Sequence, residues 1–190
     1  MAAIFGVSRS RIRPALARLA HEKLVRLEPN RGAFVAAPSP EEAREIFEAR
    51  RLVEPGVVQR LVETIDAAGV ERLRALVRDE ARARARNDRR AIIRMSGEFH
   101  IVMAELAGNT FLARTMRELA TLTCLIIFLY DAPSVPSCHG DEHGDITEAV
   151  ATKNAEHAVQ LMLRHLDHVE SSLQLVGDRP IGVDLEQVFD

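Results

Sequence analysis

The sequence predicts a mainly α fold, in which a small helix-and-hairpin unit is followed by an all-helical antiparallel bundle. Three observations carry this. From about residue 41 onward, apolar residues recur at helical steps through segments of roughly 41–64, 67–87, 89–107, 110–131, 141–152 and 154–175. The breaks between them are short: DAAG, ND, AGN, PSVPSCHG and KN. Ahead of residue 38 the pattern changes, with a turn at Gly6, a helix whose apolar positions Ile12, Leu16 and Leu19 step by four and three, and two short β-prone runs. Those runs, Leu24–Leu27 and Ala33–Ala36, flank a Pro-Asn-Arg-Gly turn. The Pro-rich link APSPEE separates the two parts and places Ser39 or a neighbour to cap the next helix. The expected division is 1–38, 39–176 and a C-terminal tail, 177–190.

Composition sets the class. A chain of 190 residues with 47% hydrophobic content can bury a substantial core. Its most apolar stretch, LATLTCLIIFLY from Leu119 to Tyr130, is 12 residues long and broken by threonines, too short to cross a bilayer. The start has no charged segment ahead of an apolar one. A cytoplasmic protein with no membrane partner is expected. Cys124 and Cys138 have neither disulfide nor zinc-ribbon spacing and read as free thiols. The Arg/Ala-rich RDEARARARND reads as a solvated helix face.

A net charge of −3 conceals a division, because residues 1–38 hold seven basic residues against two glutamates. A helix capped by Ser8 and opening with Arg9, Arg11 and Arg13 presents backbone N–H groups and guanidinium forks to phosphates and guanine edges. The hairpin tip Asn30-Arg31-Gly32 suits a wing along a neighbouring groove. Charge alone fits equally well a set of arginines that merely solvate a small domain.

The bundle segments carry polar residues on inward faces. In the 89–107 segment Ile92, Met95, Phe99, Val102 and Leu106 form the main stripe, with Ser96, His100 and Met103 along its edge. In the last segment His165 fills the gap in the stripe Ala158, Met162, Val169, Leu173, and His143 stands on the apolar side of the segment before it. A single inward histidine is most often satisfied by a carbonyl. Three on three inner faces fit a shared divalent metal, zinc first, with nickel or another transition metal as alternatives. His21, His139, His157 and His168 fall outside this set; His168 reads as surface. Arg50 fills the gap between Ile46 and Val53 and calls for a carboxylate, either Glu54 one turn away or that of a small acid beside the metal, while Arg51 points elsewhere.

The stretch GVSRSRIRPALARLAHEKLVRLEPNRGAFVA resembles the second half of the winged helix-turn-helix of GntR-type bacterial transcription regulators, over about 30 residues. The resemblance implies operator contacts from Ser8, Arg9, Ser10 and Arg13, with Arg31 and Gly32 at the wing tip. Where such regulators usually have glutamate this chain has Pro14, which predicts a late start to the recognition helix. The sequence begins in what would be the second helix of that unit, so the winged helix-turn-helix reads as partial and operator binding by these 190 residues is expected to be weak.

Residues 40–175 resemble the FCD domain, the helical ligand-sensing part of the FadR branch. EARRLVEP, EFHIVMAELAGN and a closing pair of histidines 22 residues apart carry the likeness. Metal-containing members place an aspartate one turn before the first histidine, giving a three-His, one-Asp site; here that position is Ser96, a weak ligand. Neither Glu98 nor Glu142 takes the aspartate's place on helical geometry. Losing the anion is expected to weaken metal binding and strengthen the pull on an incoming carboxylate. The expected protein is therefore a homodimeric DNA-binding transcription regulator and not an enzyme. Its helical domain is expected to bind a divalent metal and a small organic acid that controls operator binding. The alternatives are a metal-dependent hydrolase-like enzyme on the three histidines, for which no general base is evident, and a helical dimerisation protein without metal.

Overall fold

The computed structural model describes residues 6–130 and 141–175. Along the chain run α1 (Arg9–His21), β1 (Val25–Glu28), β2 (Gly32–Val35), α2 (Pro40–Thr64), α3 (Ala67–Ala85), α4 (Arg89–Leu106), α5 (Thr110–Tyr130), α6 (Glu142–Ala151) and α7 (Ala155–Ser172). Cys138, His139 and the tail 177–190 lie outside the described residues, as does the side chain of Arg9.

α1 runs unbroken through Pro14, so the late start expected from the proline does not occur. The bond it removes would have gone to the carbonyl of Ser10, an exposed residue that water satisfies. Ser8 occupies the N-cap position, but its side chain makes no capping bond. Its hydroxyl lies 2.9 Å from that of Ser10, and its carbonyl accepts from Arg11 and Ile12. β1 and β2 pair antiparallel from Val25–Val35 to Glu28–Gly32, one residue closer to the turn than expected. The turn closes through left-handed backbone at Asn30 (φ 60°) and Gly32 (φ 111°).

α2 starts where the sequence indicates. The Ser39 hydroxyl accepts from the Glu42 N–H at 3.1 Å, and the Glu42 carboxylate accepts from the Ser39 N–H at 2.6 Å. This is a capping box, with Pro40 in the first turn. Asp66, Asp88 and Asn154 each accept from a backbone N–H to start α3, α4 and α7. The break before α7 also locks α2, because the Lys153 ammonium donates to the Val62 and Ile65 carbonyls at 2.7 and 2.8 Å.

In the bundle α4 packs on α3 and α5, α2 on α5 and α7, and α6 on α7 and α3. Two apolar clusters result. One gathers Leu61, Leu73, Phe99, Met103, Ile146 and Met162; the other gathers Ala43, Phe47, Ile126, Tyr130, Val169 and Leu173. Polar residues lie between them on the same helices: Arg50 and Glu54 follow Phe47 and precede Val57 on α2, and His165 lies between Met162 and Val169 on α7. The Arg/Ala-rich face of α3 is not wholly solvated, since Glu80 and Ala83 are buried there.

Ser39→Ala removes the capping bond at the start of α2, the helix that carries Arg50 and Glu54. It should lower unfolding stability by about 1 kcal/mol in urea titration, without a change in m.

Candidate functional site

His100 of α4, His143 of α6 and His165 of α7 meet inside the bundle, each 3% exposed or less. One ring nitrogen from each lies within 4.8 Å of the other two, and the Nε2 atoms of His143 and His165 are 3.3 Å apart. The opposite nitrogen of every ring is held by a carboxylate. His100 Nδ1 is 2.7 Å from Glu54, His143 Nδ1 is 2.6 Å from Glu80, and His165 Nδ1 is 2.8 Å from Glu142.

These pairs determine the tautomers. An ionised carboxylate only accepts, so each Nδ1 carries a proton and donates it, leaving Nε2 in a neutral ring as an acceptor. Burial alone would raise all three glutamates, but positive neighbours outweigh it. Arg50 and His100 hold Glu54 far below the usual carboxylate range, His143 and Arg84 lower Glu80, and His165 and His168 bring Glu142 to about 2. The rings move in the other direction: burial lowers His100 to about 3 and His165 to about 4. Neutral acceptor nitrogens therefore converge in a dry interior, where they repel one another unless a cation lies between them. Three imidazole nitrogens, each oriented by a carboxylate, are the donor set for a borderline-soft divalent ion, and the residues fit a metal.

Arg50 is 2% exposed. Its Nε donates to Glu54 at 2.5 Å, and its Nη2 has no hydrogen-bond partner. Arg50, Ser96, His100 and His165 line one small cavity of about 10 Å³, with Thr123 and Cys124 of α5 as part of its wall. Thus Glu54 serves both Arg50 and His100, and Ser96 is buried facing the same space. Arg51 turns outward to Asp167 and Glu170 on α7.

Sequence reasoning misplaced two carboxylates. Glu142, expected to point away, holds His165 and also accepts from His168 at 2.5 Å. It starts α6, and α7 packs across it, so position on its own helix does not decide where it reaches. His168 is exposed as expected but shares that carboxylate. Glu80 was absorbed into the charged run of α3. The signal was there, because Leu73, Leu76, Glu80 and Ala83 step by three, four and three and put Glu80 on the inward stripe. Glu98 is exposed, as its helical position indicates.

At the other end of the molecule Ser8, Ser10 and Arg13 are exposed on and before α1, and Arg31 and Gly32 are exposed at the hairpin tip. Arg31 pairs with Glu28 at 2.5 Å and keeps most of its side chain in solvent.

The model of the FCD domain matches residues 45–168, and that of the bacterial regulatory proteins of the gntR family matches residues 1–35. The chain belongs to the gntR family and carries its FCD domain. The transcriptional repressor RspR of Escherichia coli is 24% identical over 173 residues, covering 90% of this chain and 76% of RspR. The regulator LutR of Bacillus subtilis is 26% identical over 194 residues, covering 91% and 88%. A crystal structure of a GntR transcriptional regulator from Rhodococcus sp. RHA1 superposes with a TM-score of 0.74 at 27% identity, covering 90% of this chain and 82% of that one. This gntR-family chain is accordingly a DNA-binding transcription regulator. The relatives it matches are regulators, which sets aside the hydrolase alternative.

The depressed histidines of the regulator give its stability a pH dependence of definite sign. In the unfolded chain His100 and His165 titrate near 6.5, whereas folded they stay neutral down to about 3 and about 4. Between those limits the unfolded state binds more protons, so their contribution is complete above about 6.5 and is lost as pH falls. Melting curves of chelator-treated protein should show Tm falling from pH 7 to pH 4.5, with a shallower fall in His100→Gln. An unchanged Tm over that range would contradict the burial of neutral imidazoles.

Proposed function

We propose that the regulator's affinity for operator DNA is set by a divalent metal, zinc first, and a small carboxylic acid bound together in the bundle. The observation that carries this is the convergence of three Nε2 acceptors whose Nδ1 atoms are all held by glutamates. When bound, the metal supplies a Lewis-acidic centre for an anionic oxygen. His100, His143 and His165 would hold it, and Arg50 offers its Nη2 to the acid from the same cavity. Ser96 stands one turn before His100 and is neutral, so it leaves the ion's charge to be met by the acid.

In this reading the acting unit is a homodimer in the cytoplasm. The α1 N-terminus (Ser8, Arg9, Ser10, Arg13) and the hairpin tip (Arg31, Gly32) meet the operator. Among the described residues no helix is long and apolar enough to cross a membrane. Metal and acid change DNA binding only by favouring one arrangement of the two units over another.

Replacing His100, His143 or His165 with alanine should abolish stoichiometric zinc uptake, measured by metal analysis after dialysis, while His157→Ala keeps it. Glu80→Gln should weaken zinc about 10- to 100-fold, the usual effect of removing a carboxylate behind a ligating histidine, and Ser96→Asp should tighten it. Zinc retained by all three alanine variants would sink the assignment.

The DNA interface has its own test. Arg13→Ala should weaken operator binding and, if the guanidinium meets a phosphate, make the plot of log K against log salt shallower by about one unit. An unchanged affinity and slope would remove Arg13 from the interface.

A further inference from the structure

The small cavity beside the histidines has a neighbour. Between α4 and α5 an open groove of about 340 Å³ runs along the outside of the bundle, lined by Ile93, Ile101 and Phe128 and flanked by Arg90 and Arg94. Gly97, Ala120 and Cys124 line both spaces. The wall between them is therefore one residue thick and built from a glycine, a methyl and a thiol. A Cβ on Gly97 would collide with Cys124 Sγ, so the glycine is what lets α5 bring this thin wall against α4.

From this continuity we infer that the acid effector is a monocarboxylic acid with an apolar tail, its head beside Arg50 and its tail passing Gly97 and Cys124 into the α4–α5 groove. The inference rests on the metal-and-acid reading of the site and names the class of acid. Two observations restrict the head. Arg50 has one unpartnered nitrogen, Nη2, because its Nε is engaged by Glu54, and the Thr123 hydroxyl is already donated to the Leu119 carbonyl. Glu54, Glu80 and Glu142 stand behind the three imidazoles, so a second carboxylate on the ligand would meet like charge in a buried space. The tail is restricted by the groove, whose lining beyond the neck is the apolar Ile93, Ile101 and Phe128. The 10 Å³ of the inner cavity admits little more than the head, and a longer ligand has to extend outward through the neck.

The test uses the zinc-loaded regulator and calorimetric titration with acetate, butyrate, hexanoate and octanoate, beside malate and citrate. Affinity should rise roughly two- to fourfold per methylene from butyrate onward, as expected for apolar groups leaving water for a partly open groove. Phe128→Ala should flatten that rise while leaving acetate unchanged, and Cys124→Ala, which widens the neck, should keep or steepen it. Tighter binding of malate or citrate than of hexanoate would overturn the tailed acid and leave the metal-and-acid reading standing. Binding of no acid at all would overturn both. A flat chain-length series in a protein whose dimer is dissociated by Phe128→Glu would assign the groove to a second copy of the chain and likewise overturn the proposal.

Discussion

Three carboxylate–imidazole pairs, stacked in a dry layer between two apolar clusters, are the constraint to which the rest of the bundle answers. A buried carboxylate is costly unless its charge and lone pairs are met. Here each has two partners: Glu54 has Arg50 and His100, Glu80 has Arg84 and His143, and Glu142 has His165 and His168. Meeting those demands fixes where helices lie. Glu54 ties α2 to α4, Glu80 ties α3 to α6, and Glu142 ties the start of α6 to α7. Removing one partner strands a charge, so the layer acts as a unit. The same bonds that orient the bundle also turn every Nε2 toward one point, and structural satisfaction and ligand geometry become a single requirement.

This arrangement changes what Ser96 means. A metal site can receive negative charge from a direct ligand or from carboxylates behind neutral ligands. The sequence suggests only the loss of the first. The structure supplies three of the second kind, with Arg50 as the opposing charge. A serine one turn before His100 therefore sits in a site already ringed by anions. Its neutrality removes a competitor for the position an acid oxygen would take.

Helix positions, the Ser39 cap, the hairpin and the three histidines were legible in the sequence because each depends on local chemistry: periodicity, a capping oxygen, left-handed turn residues, an inward position on one helix. Glu142 and Glu80 were not read as site residues, for different reasons. A glutamate in the first turn of α6 reaches across to α7, and only tertiary packing sets that direction. Glu80 did lie on a readable stripe, but its neighbours Arg78, Arg82 and Arg84 made the run look like solvent-facing charge. Pro14 shows the opposite error, a local rule applied without asking whether the lost bond faced water. In each case the missing information was which groups stood opposite.

α5 connects the buried layer with the DNA-binding unit. Its middle, at Thr123, Cys124 and Ile127, forms one wall of the cavity shared by Arg50 and two of the histidines. Its outer face meets the DNA-binding unit at Glu118, which pairs with Lys23 just after α1 at 2.7 Å. Its end holds the link between the two parts, because the Tyr130 hydroxyl donates to the Pro38 carbonyl at 2.7 Å in a buried setting. The two attachments differ in strength. The Lys23–Glu118 pair is exposed on both sides and contributes little, whereas the Tyr130–Pro38 bond is shielded from water and costly to break. The link is thus pinned firmly to α5 while the helix-and-hairpin unit beyond it is held lightly. A ligand that needs α5 displaced at Cys124 acts on a helix whose far end carries that pinned link. The soft contact at Lys23 opposes such a movement by no more than a surface ion pair can.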